Sequence, residues 1–301
     1  SAGDFHPESP QRLEAILSHL KQSTLWEKLI HITPQPADLE CIENIHDVNY
    51  IASVREACTN GMTHLDADTG ICTRSYEIAL LAAGAGITAA DKIISGDIDN
   101  AFCATRPPGH HAEFNHAMGF CLFNNIAILA RYLQQKHKIE RILIIDWDVH
   151  HGNGTQNAFY DDPSVFYFSI HQWPYYPGSG AESERGSEKG FGFTLNVPIR
   201  SGAGDQDYID AFVKKLIPAV RKFEPQFLLI SAGFDAHKDD PLAGMHLTET
   251  GFTAMSDIVL ELAEYYCEGR LISLLEGGYH LEKLAASVAA HIAVLTREAK
   301  K

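Results

Sequence analysis

The chain has 301 residues, of which 45% are hydrophobic and 21% are charged, and its formal net charge is −15. This length allows a large core in one or two domains, and the charge argues against non-specific nucleic-acid binding while suiting a cationic substrate. We find no apolar run long enough for a membrane span and no secretory signal, and the six cysteines are scattered without a C-x-x-C pair, so we expect a cytoplasmic protein with reduced thiols.

The predicted elements begin as helices and continue as an alternation of strands and helices. The first helix starts at Ser9-Pro10, with Ser as N-cap and Pro at the first helical position. It is followed in chain order by helices over about 46–60 and 75–94, strand 101–105, helix 124–136, strand 142–146, a short helix over about 152–160, strands 165–170 and 194–198, helix 205–223, strand 226–230, helix 248–267, strand 271–275 and a closing helix to about residue 297. This alternation is typical of a parallel sheet with helices on both faces, and because it never breaks we expect one domain.

Polar residues follow the strand at 142–146 abruptly. The apolar run predicts a strand buried on both faces, and it continues into Asp146-Trp-Asp148-Val-His150-His151. Because side chains alternate along a strand, Asp146, Asp148 and His150 are expected to point the same way and His151 the opposite way. Burial of two carboxylates and an imidazole is costly without a partner. A divalent metal ion would make that burial favourable.

Three other predicted strands also end in polar residues. Arg106 to His111 follows the first strand, Asp235 follows strand 226–230, and Gly277 to Tyr279 follows the last strand. In a parallel sheet these ends share one edge, where ligands bind in open α/β folds. Asp148, His150 and Asp235 would then provide three metal ligands and leave one position open, as in catalytic zinc sites, although Fe(II), Co(II) or Mn(II) would also be accepted.

The remaining polar residues suggest proton transfer. A neutral imidazole of the pair His110-His111 can take a proton from water acidified by a divalent metal and return it to a leaving amine. Asp146 is placed to orient one of these histidines, and Tyr279, after two glycines, can donate to a developing oxyanion. Each residue alone is explained as well by packing or capping, but together they indicate metal-assisted addition of water to an amide carbonyl.

These motifs resemble the signature set of the zinc-dependent histone deacetylase family, which includes bacterial acetoin-utilisation proteins and acetylpolyamine amidohydrolases. The matching stretches are His6-Pro-Glu-Ser-Pro-Gln-Arg12, Arg106-Pro-Pro-Gly-His-His111, Gly119-Phe-Cys121, Asp146-Trp-Asp-Val-His-His-Gly-Asn-Gly154, Ser231-Ala-Gly-Phe-Asp235 and Glu276-Gly-Gly-Tyr279. The resemblance covers nearly the whole chain. It implies an arginase-like open α/β sheet, with the site at the carboxyl ends of the strands, in a single catalytic domain over residues 1–301.

The resemblance also implies roles for the residues of the site. Asp148, His150 and Asp235 would bind zinc, and His111 would act as general base and acid. His110, paired with Asp146, would be an electrostatic partner. Tyr279 would polarise the acyl carbonyl.

A substrate channel and two monovalent cation sites are implied in the same way. Phe120 and Tyr176 would line the channel, and the Gly119 carbonyl would accept a hydrogen bond from the substrate amide. A first K⁺ or Na⁺ site would use Asp146, Asp148 and His150 with the Ser169 hydroxyl and the Ile170 carbonyl. A second would use backbone carbonyls near Phe159, Asp162 and Val165.

Three positions bear on the branch of the family and on its substrate. Asn153 is similar to the class II branch, whereas class I enzymes have an Asp there, and it should make His111 less basic. Tyr176 adds a hydroxyl at a channel position that is usually Phe. Leu242 lies where polyamine-selective members carry an acidic gatekeeper, so it favours acyl-lysine in a protein or peptide over a free polyamine.

We therefore expect a hydroxamate-sensitive deacetylase of acyl-lysine proteins or peptides that contacts neither nucleic acid nor membrane directly. An acetylpolyamine deacetylase, acting on small acetylated amines, is the alternative. A ureohydrolase of related fold is disfavoured by the tandem histidine and Tyr279. A catalytically silent binding module is disfavoured because every catalytic residue that the family needs is present.

Overall fold

A computed structural model describes residues 6–297 as an open α/β sheet in which all strand pairs are parallel. The six strands are β1 (Asn100–Cys103), β2 (Ile142–Asp146), β3 (Val165–Gln172), β4 (Thr194–Ile199), β5 (Phe227–Ala232) and β6 (Leu271–Leu275). They lie in the order β1-β6-β5-β2-β3-β4. The predicted fold class is confirmed.

Ten α-helices surround the sheet within the described residues. They are α1 (Gln11–Lys21), α2 (Leu39–Glu43), α3 (Val48–Thr59), α4 (Ser75–Ile94), α5 (Asn125–His137), α6 (Asn153–Ala158), α7 (Asp205–Ala211), α8 (Ile217–Phe223), α9 (Glu249–Tyr266) and α10 (Leu281–Leu295). Two short 3₁₀ turns occur at Trp26–Lys28 and Glu188–Gly190. No helix in this part of the chain is both long enough and apolar enough to cross a bilayer.

Two local predictions were wrong. Pro10 occupies the N-cap of α1 and no side chain caps that helix, since the Ser9 carbonyl, and not its hydroxyl, accepts from the Arg12 N–H at 3.1 Å. The helix predicted over 205–223 is interrupted by a π-helical turn at Phe212–Leu216. Pro218 follows that turn and has no N–H to donate to the preceding turn of helix, so the hydrogen-bond register widens.

Both faces of the sheet are covered by apolar side chains, as the run at β2 predicts. Leu143 and Ile145 pack in one core cluster, and Trp147 and Val149 continue that face beyond the strand. Ile142 and Ile144 belong to the cluster on the opposite face, with α4 and α5. With both faces apolar, polar groups can only collect beyond the strand ends.

The central position of β2 decides where those groups meet. It lies between β5 and β3, with Asp146 in register with Ser231 on one side and Ser169 on the other. Because all strands run parallel, the segments after β1, β2, β5 and β6 emerge at one edge of the sheet. The four polar clusters of the sequence therefore converge there.

Candidate active site

Two carboxylates and one imidazole converge beyond the ends of β2 and β5. Asp148, His150 and Asp235 each place one possible ligand atom within 4.8 Å of the others. His150 Nδ1 is 3.2 Å from Asp148 Oδ1 and 3.1 Å from Asp235 Oδ2. Both aspartates are buried. This is the arrangement of a three-ligand metal site.

The backbone is fitted closely around these carboxylates. A Cβ added to Gly233 would lie 2.1 Å from Asp148 Oδ2, and one added to Gly277 would lie 2.1 Å from Asp235 Oδ2. The Gly277 N–H donates to Asp148 Oδ2 at 2.7 Å, and the Val149 N–H donates to Asp235 Oδ1 at 2.9 Å. These bonds fix one oxygen of each carboxylate and leave the other facing His150. The two carboxylates and the imidazole, with the backbone that holds them in place, fit a divalent cation.

The charges of the cluster also favour a cation. Burial, with the charge of Asp148, raises the pKa of Asp235 to about 7. For Asp148 burial acts in the same direction, but the imidazoles of His110 and His150 outweigh it and lower the pKa of this carboxyl. Two adjacent buried carboxylates thus compete for the available positive charge. A divalent ion between them would remove that competition.

His110 lies among carboxylates. Its Nδ1 is 3.0 Å from Asp146 Oδ2, and its Nε2 is 3.9 Å from Asp148 Oδ1. The fully buried Glu276 accepts from the backbone N–H of Gly109 at 2.7 Å and of His110 at 3.2 Å. Burial by itself would lower the pKa of His110, but these three carboxylates raise it to about 10. His110 is therefore held as a cation.

His111 lies in different surroundings. Its Nδ1 is 2.8 Å from Asn153 Oδ1, and a Cβ on Gly119 would lie 2.3 Å from its Cδ2. Burial, followed by the charges of His110 and His150, lowers its pKa well below the usual value. Within residues 6–297 its Nε2 makes no hydrogen bond. This imidazole is therefore neutral and has one free nitrogen.

His151 points away from the metal cluster, as alternation predicts. Its Nδ1 is 2.8 Å from Ser179 Oγ, and its Nε2 is 3.0 Å from Gln156 Oε1. Burial and the neighbouring His171 lower its pKa well below the usual value. It is a neutral, hydrogen-bonded histidine of the interior.

An aromatic loop over residues 173–178 follows β3 and packs against the site. The Tyr176 ring meets His111 edge-on at 5.2 Å between centroids and His150 at 6.0 Å. Tyr175 stacks on His150 at 5.6 Å, and its hydroxyl donates to the Leu242 carbonyl at 2.9 Å. Tyr176 and Leu242 thus lie close together at the entrance to the candidate site.

Phe120 is a further aromatic residue beside the candidate site. Its ring meets the Tyr279 ring edge-on at 6.0 Å between centroids. The backbone φ of Phe120 is 69°, and that of the preceding Gly119 is 55°. This conformation is unfavourable for Phe, and the Phe120 N–H is held by Thr69 Oγ1 at 3.3 Å. Asp66 Oδ1 in turn accepts from the Thr69 N–H at 2.6 Å, so the turn at Asp66 holds the residue that contacts the Phe120 backbone.

The turn that carries Tyr279 is held by two charged residues that sequence reasoning left without a role. Arg12, fully buried, donates from Nε to the Gly278 carbonyl at 2.7 Å, and its guanidinium lies 5.1 Å from the centre of the Tyr279 ring. Asp240 Oδ2 accepts from the Tyr279 N–H at 2.7 Å. Arg12 belongs to the first matching motif of the sequence and could have been identified from it. Asp240 belongs to no motif, and only its closeness to Asp235 in the chain could have drawn attention to it.

The residues predicted for monovalent cations fall into two groups. Asp146 and Ser169 are register partners on β2 and β3, and Ser169 Oγ is 2.8 Å from His171 Nδ1. Phe159 and Asp162 share a turn before β3, in which the Phe159 carbonyl accepts from the Asp162 N–H at 3.1 Å. Ile170 and Val165 lie within β3.

The chain is similar to a known domain family over nearly all of its described length. A family model described as histone deacetylase domain matches residues 6–295. A probable deacetylase of Archaeoglobus fulgidus is 40% identical over 279 residues, covering 92% of this chain and 77% of that protein. The human polyamine deacetylase HDAC10 is 40% identical over 294 residues, covering 93% and 43%. The crystal structure of the HDA15 HD domain aligns with a TM-score of 0.93 and 39% identity, covering 98% and 83%.

Proposed function

The chain belongs to the histone deacetylase domain family, and from this we propose that it is a zinc-dependent amidohydrolase that removes acetyl or related acyl groups from lysine side chains. The observation that carries the proposal is the metal-ligand triad beside a neutral histidine with a free Nε2. We propose further that residues 1–301 form one catalytic domain and that it works in the cytoplasm.

Asp148, His150 and Asp235 would hold the zinc ion. When bound, the ion would polarise the acyl carbonyl and lower the pKa of water. The two buried carboxylates are kept in place for it by the Gly277 and Val149 N–H groups.

His111 would take the proton from the attacking water at Nε2 and return it to the leaving amine. It begins neutral, because its pKa is lowered by burial and by the two neighbouring imidazoles. His110 would stay protonated, held by Asp146, and add positive charge beside the reacting centre. Burial raises the pKa of Tyr279, which keeps its hydroxyl protonated as a donor to the developing oxyanion.

The aromatic residues that would line the substrate channel would select an extended acyl-lysine side chain. Phe120 and Tyr176 would flank its methylenes, and the Gly119 carbonyl would accept from the substrate amide. Leu242 offers no carboxylate at the mouth for the ammonium groups of a polyamine. An acyl-lysine in a protein or peptide is therefore favoured.

An acetylpolyamine deacetylase is the second candidate. It is favoured by the net charge of −15 and by the similarity to a protein named polyamine deacetylase. The position of Leu242 beside Tyr175 speaks against it, since the Leu242 side chain supplies no carboxylate there.

K⁺ or Na⁺ would bind at the two groups of oxygen atoms described above. The first includes Asp146 and Ser169, and the second lies near Phe159, Asp162 and Val165. We expect both to be structural.

The experiment is release of the free carboxylic acid, measured side by side on acetyl-lysine peptides, longer acyl-lysine peptides and acetylspermidine. We expect release from the peptides that stops on chelation, returns with Zn²⁺ and is inhibited by a hydroxamate. Metal analysis of the purified protein and of Asp235→Ala would connect the activity to the triad. No zinc-dependent release from any of these substrates would overturn the proposal, and a preference for acetylspermidine would establish the second candidate.

A further inference from the structure

The Asn153 amide is bonded at both ends. Its Oδ1 is 2.8 Å from His111 Nδ1, and its Nδ2 donates to Glu113 Oε1 at 2.5 Å. In an amide only the NH₂ group donates, whereas an ionised carboxylate only accepts. The Glu113 carboxylate, supported by a longer bond of 3.4 Å from the same Nδ2 to the His111 carbonyl, therefore fixes which way the amide faces, and the amide oxygen is turned to His111 Nδ1.

This orientation has a consequence for the imidazole. An amide oxygen can only accept, so His111 Nδ1 must carry the hydrogen of the neutral ring. The lone pair is then on Nε2, the nitrogen without a partner within residues 6–297. If the amide were reversed, its NH₂ group would face Nδ1 and the hydrogen would move to Nε2.

Glu113 is itself hydrogen-bonded through both its side chain and its backbone. Asn157 Nδ2 donates to its two carboxylate oxygens at 2.9 and 3.1 Å. Its backbone carbonyl lies 2.8 Å from Nδ1 of the buried His46, whose Nε2 accepts from the Asn124 N–H at 2.9 Å. Because that Nε2 accepts, the His46 Nδ1 is the donor. The carboxylate is thus placed by a turn bonded to two other segments of the chain.

We propose that Glu113 is a positioning residue that sets the tautomer of His111 through the Asn153 amide. The proposal rests on the proposed function only for the use that His111 makes of its free nitrogen. It also makes Glu113 and Asn153 a matched pair. An aspartate at 153 would put two carboxylates in contact, so it should be tolerated only with a neutral residue at 113.

The first test is a series at position 113. Glu113→Gln keeps an acceptor for Asn153 and should leave kcat within about 3-fold of the parent, whereas Glu113→Ala should lower it about 10-fold. Glu113→Lys supplies a donor, reverses the amide and should lower kcat about 100-fold with little change in KM. Glu261→Lys makes the same charge change on an exposed position of α9 and should have no effect. Equal losses for Gln and Lys at 113 would overturn the proposal.

The second test reads the tautomer without turnover. Nitrogen-15 NMR of the imidazoles should show hydrogen on Nδ1 of His111 in the parent protein and in Glu113→Gln, and on Nε2 in Glu113→Lys. A His111→Gln spectrum assigns the signals among the 16 histidines. If the protein proves not to be a hydrolase, this measurement still decides the inference, and an unchanged tautomer in Glu113→Lys would refute it.

A third measurement does not depend on the lysine variant folding. Asn153→Asp alone should lose thermal stability and activity, and Asn153→Asp with Glu113→Gln should recover most of both. Recovery supports the matched pair. A double variant no better than the single one would contradict it.

Discussion

The two imidazoles of the tandem histidine lie 4.1 Å apart, between ring centroids, but they face two different regions of the molecule. The His110 side consists of the carboxylates Asp146, Asp148 and Glu276. The His111 side is occupied by the Asn153 amide, the Gly119 backbone and the Tyr176 ring. Two residues of one type, adjacent in the chain, therefore have opposite protonation, and the segments that reach each ring decide which is which.

The two sides also depend on each other. Two imidazolium groups at this distance repel, so the proton held on His110 lowers the pKa of His111. The carboxylates around His110 thus act on His111 without touching it. The protonated His110 and the neutral His111 are therefore electrostatically coupled.

The largest effect should come from exchanging the base for an amide. We expect His111→Gln to lower kcat by about 1,000-fold, because it removes the imidazole whose free Nε2 would take the proton from water. His110→Gln keeps a hydrogen bond to Asp146 and should cost only about 10- to 100-fold. Steady-state kinetics on one acetyl-lysine peptide gives both values. If the two losses came out in the reverse order, the roles of the two sides would have to be exchanged.

Removal of the Tyr279 hydroxyl should separate electrophilic assistance from proton transfer. Tyr279→Phe should lower kcat by about 100-fold, since one donor to the oxyanion is lost. Its pH–rate profile should keep the shape of the parent, because both histidines are untouched, and bound metal should be unchanged. A Phe variant with full activity would remove the hydroxyl from the reaction.

Asp146→Asn tests the coupling directly. With less negative charge at His110, that ring should lose its proton more readily, the repulsion on His111 should fall, and the pKa of His111 should rise. The acid limb of the kcat/KM profile should therefore move to higher pH, with kcat lowered by about 10-fold. Tyr167→Phe, which removes a 3.0 Å hydrogen bond to Asp146 without changing charge, is the matched control and should leave the limb in place. An unshifted limb in Asp146→Asn would show that the two rings titrate independently.

The sequence predicts the His110 side better than the His111 side, for physical reasons. An apolar run that stops at Asp146 identifies a buried parallel strand and its polar end, and parallel strands must end at one edge. Glu276, although 166 residues from His110, lies in a strand-end motif that the same reasoning singles out. Glu113 lies in a turn with no periodicity, and its role depends on contacts with Asn153 and His46 that only the folded chain creates.

The smallest effect concerns stability on the His111 side and should leave kcat at pH 7 nearly unchanged. Burial lowers the pKa of His46 from 6.5 to about 4 in the folded protein. A histidine whose folded pKa is depressed stabilises the fold above pH 6.5, and that stability is lost as the pH falls from 6.5 to about 4. Between pH 7 and pH 5 the loss should be about 2 kcal/mol in the free energy of unfolding.

His46→Gln should remove this part of the pH dependence while keeping a donor for the Glu113 carbonyl and an acceptor for the Asn124 N–H. Urea unfolding of both proteins at pH 7 and pH 5 isolates the contribution of His46 to the free energy of unfolding, because the two proteins share every other titrating group. Parallel losses in parent and variant would mean that His46 does not titrate on unfolding. A smaller loss in the variant would show that mild acid weakens the anchor of the Glu113 turn, and with it the support of the base.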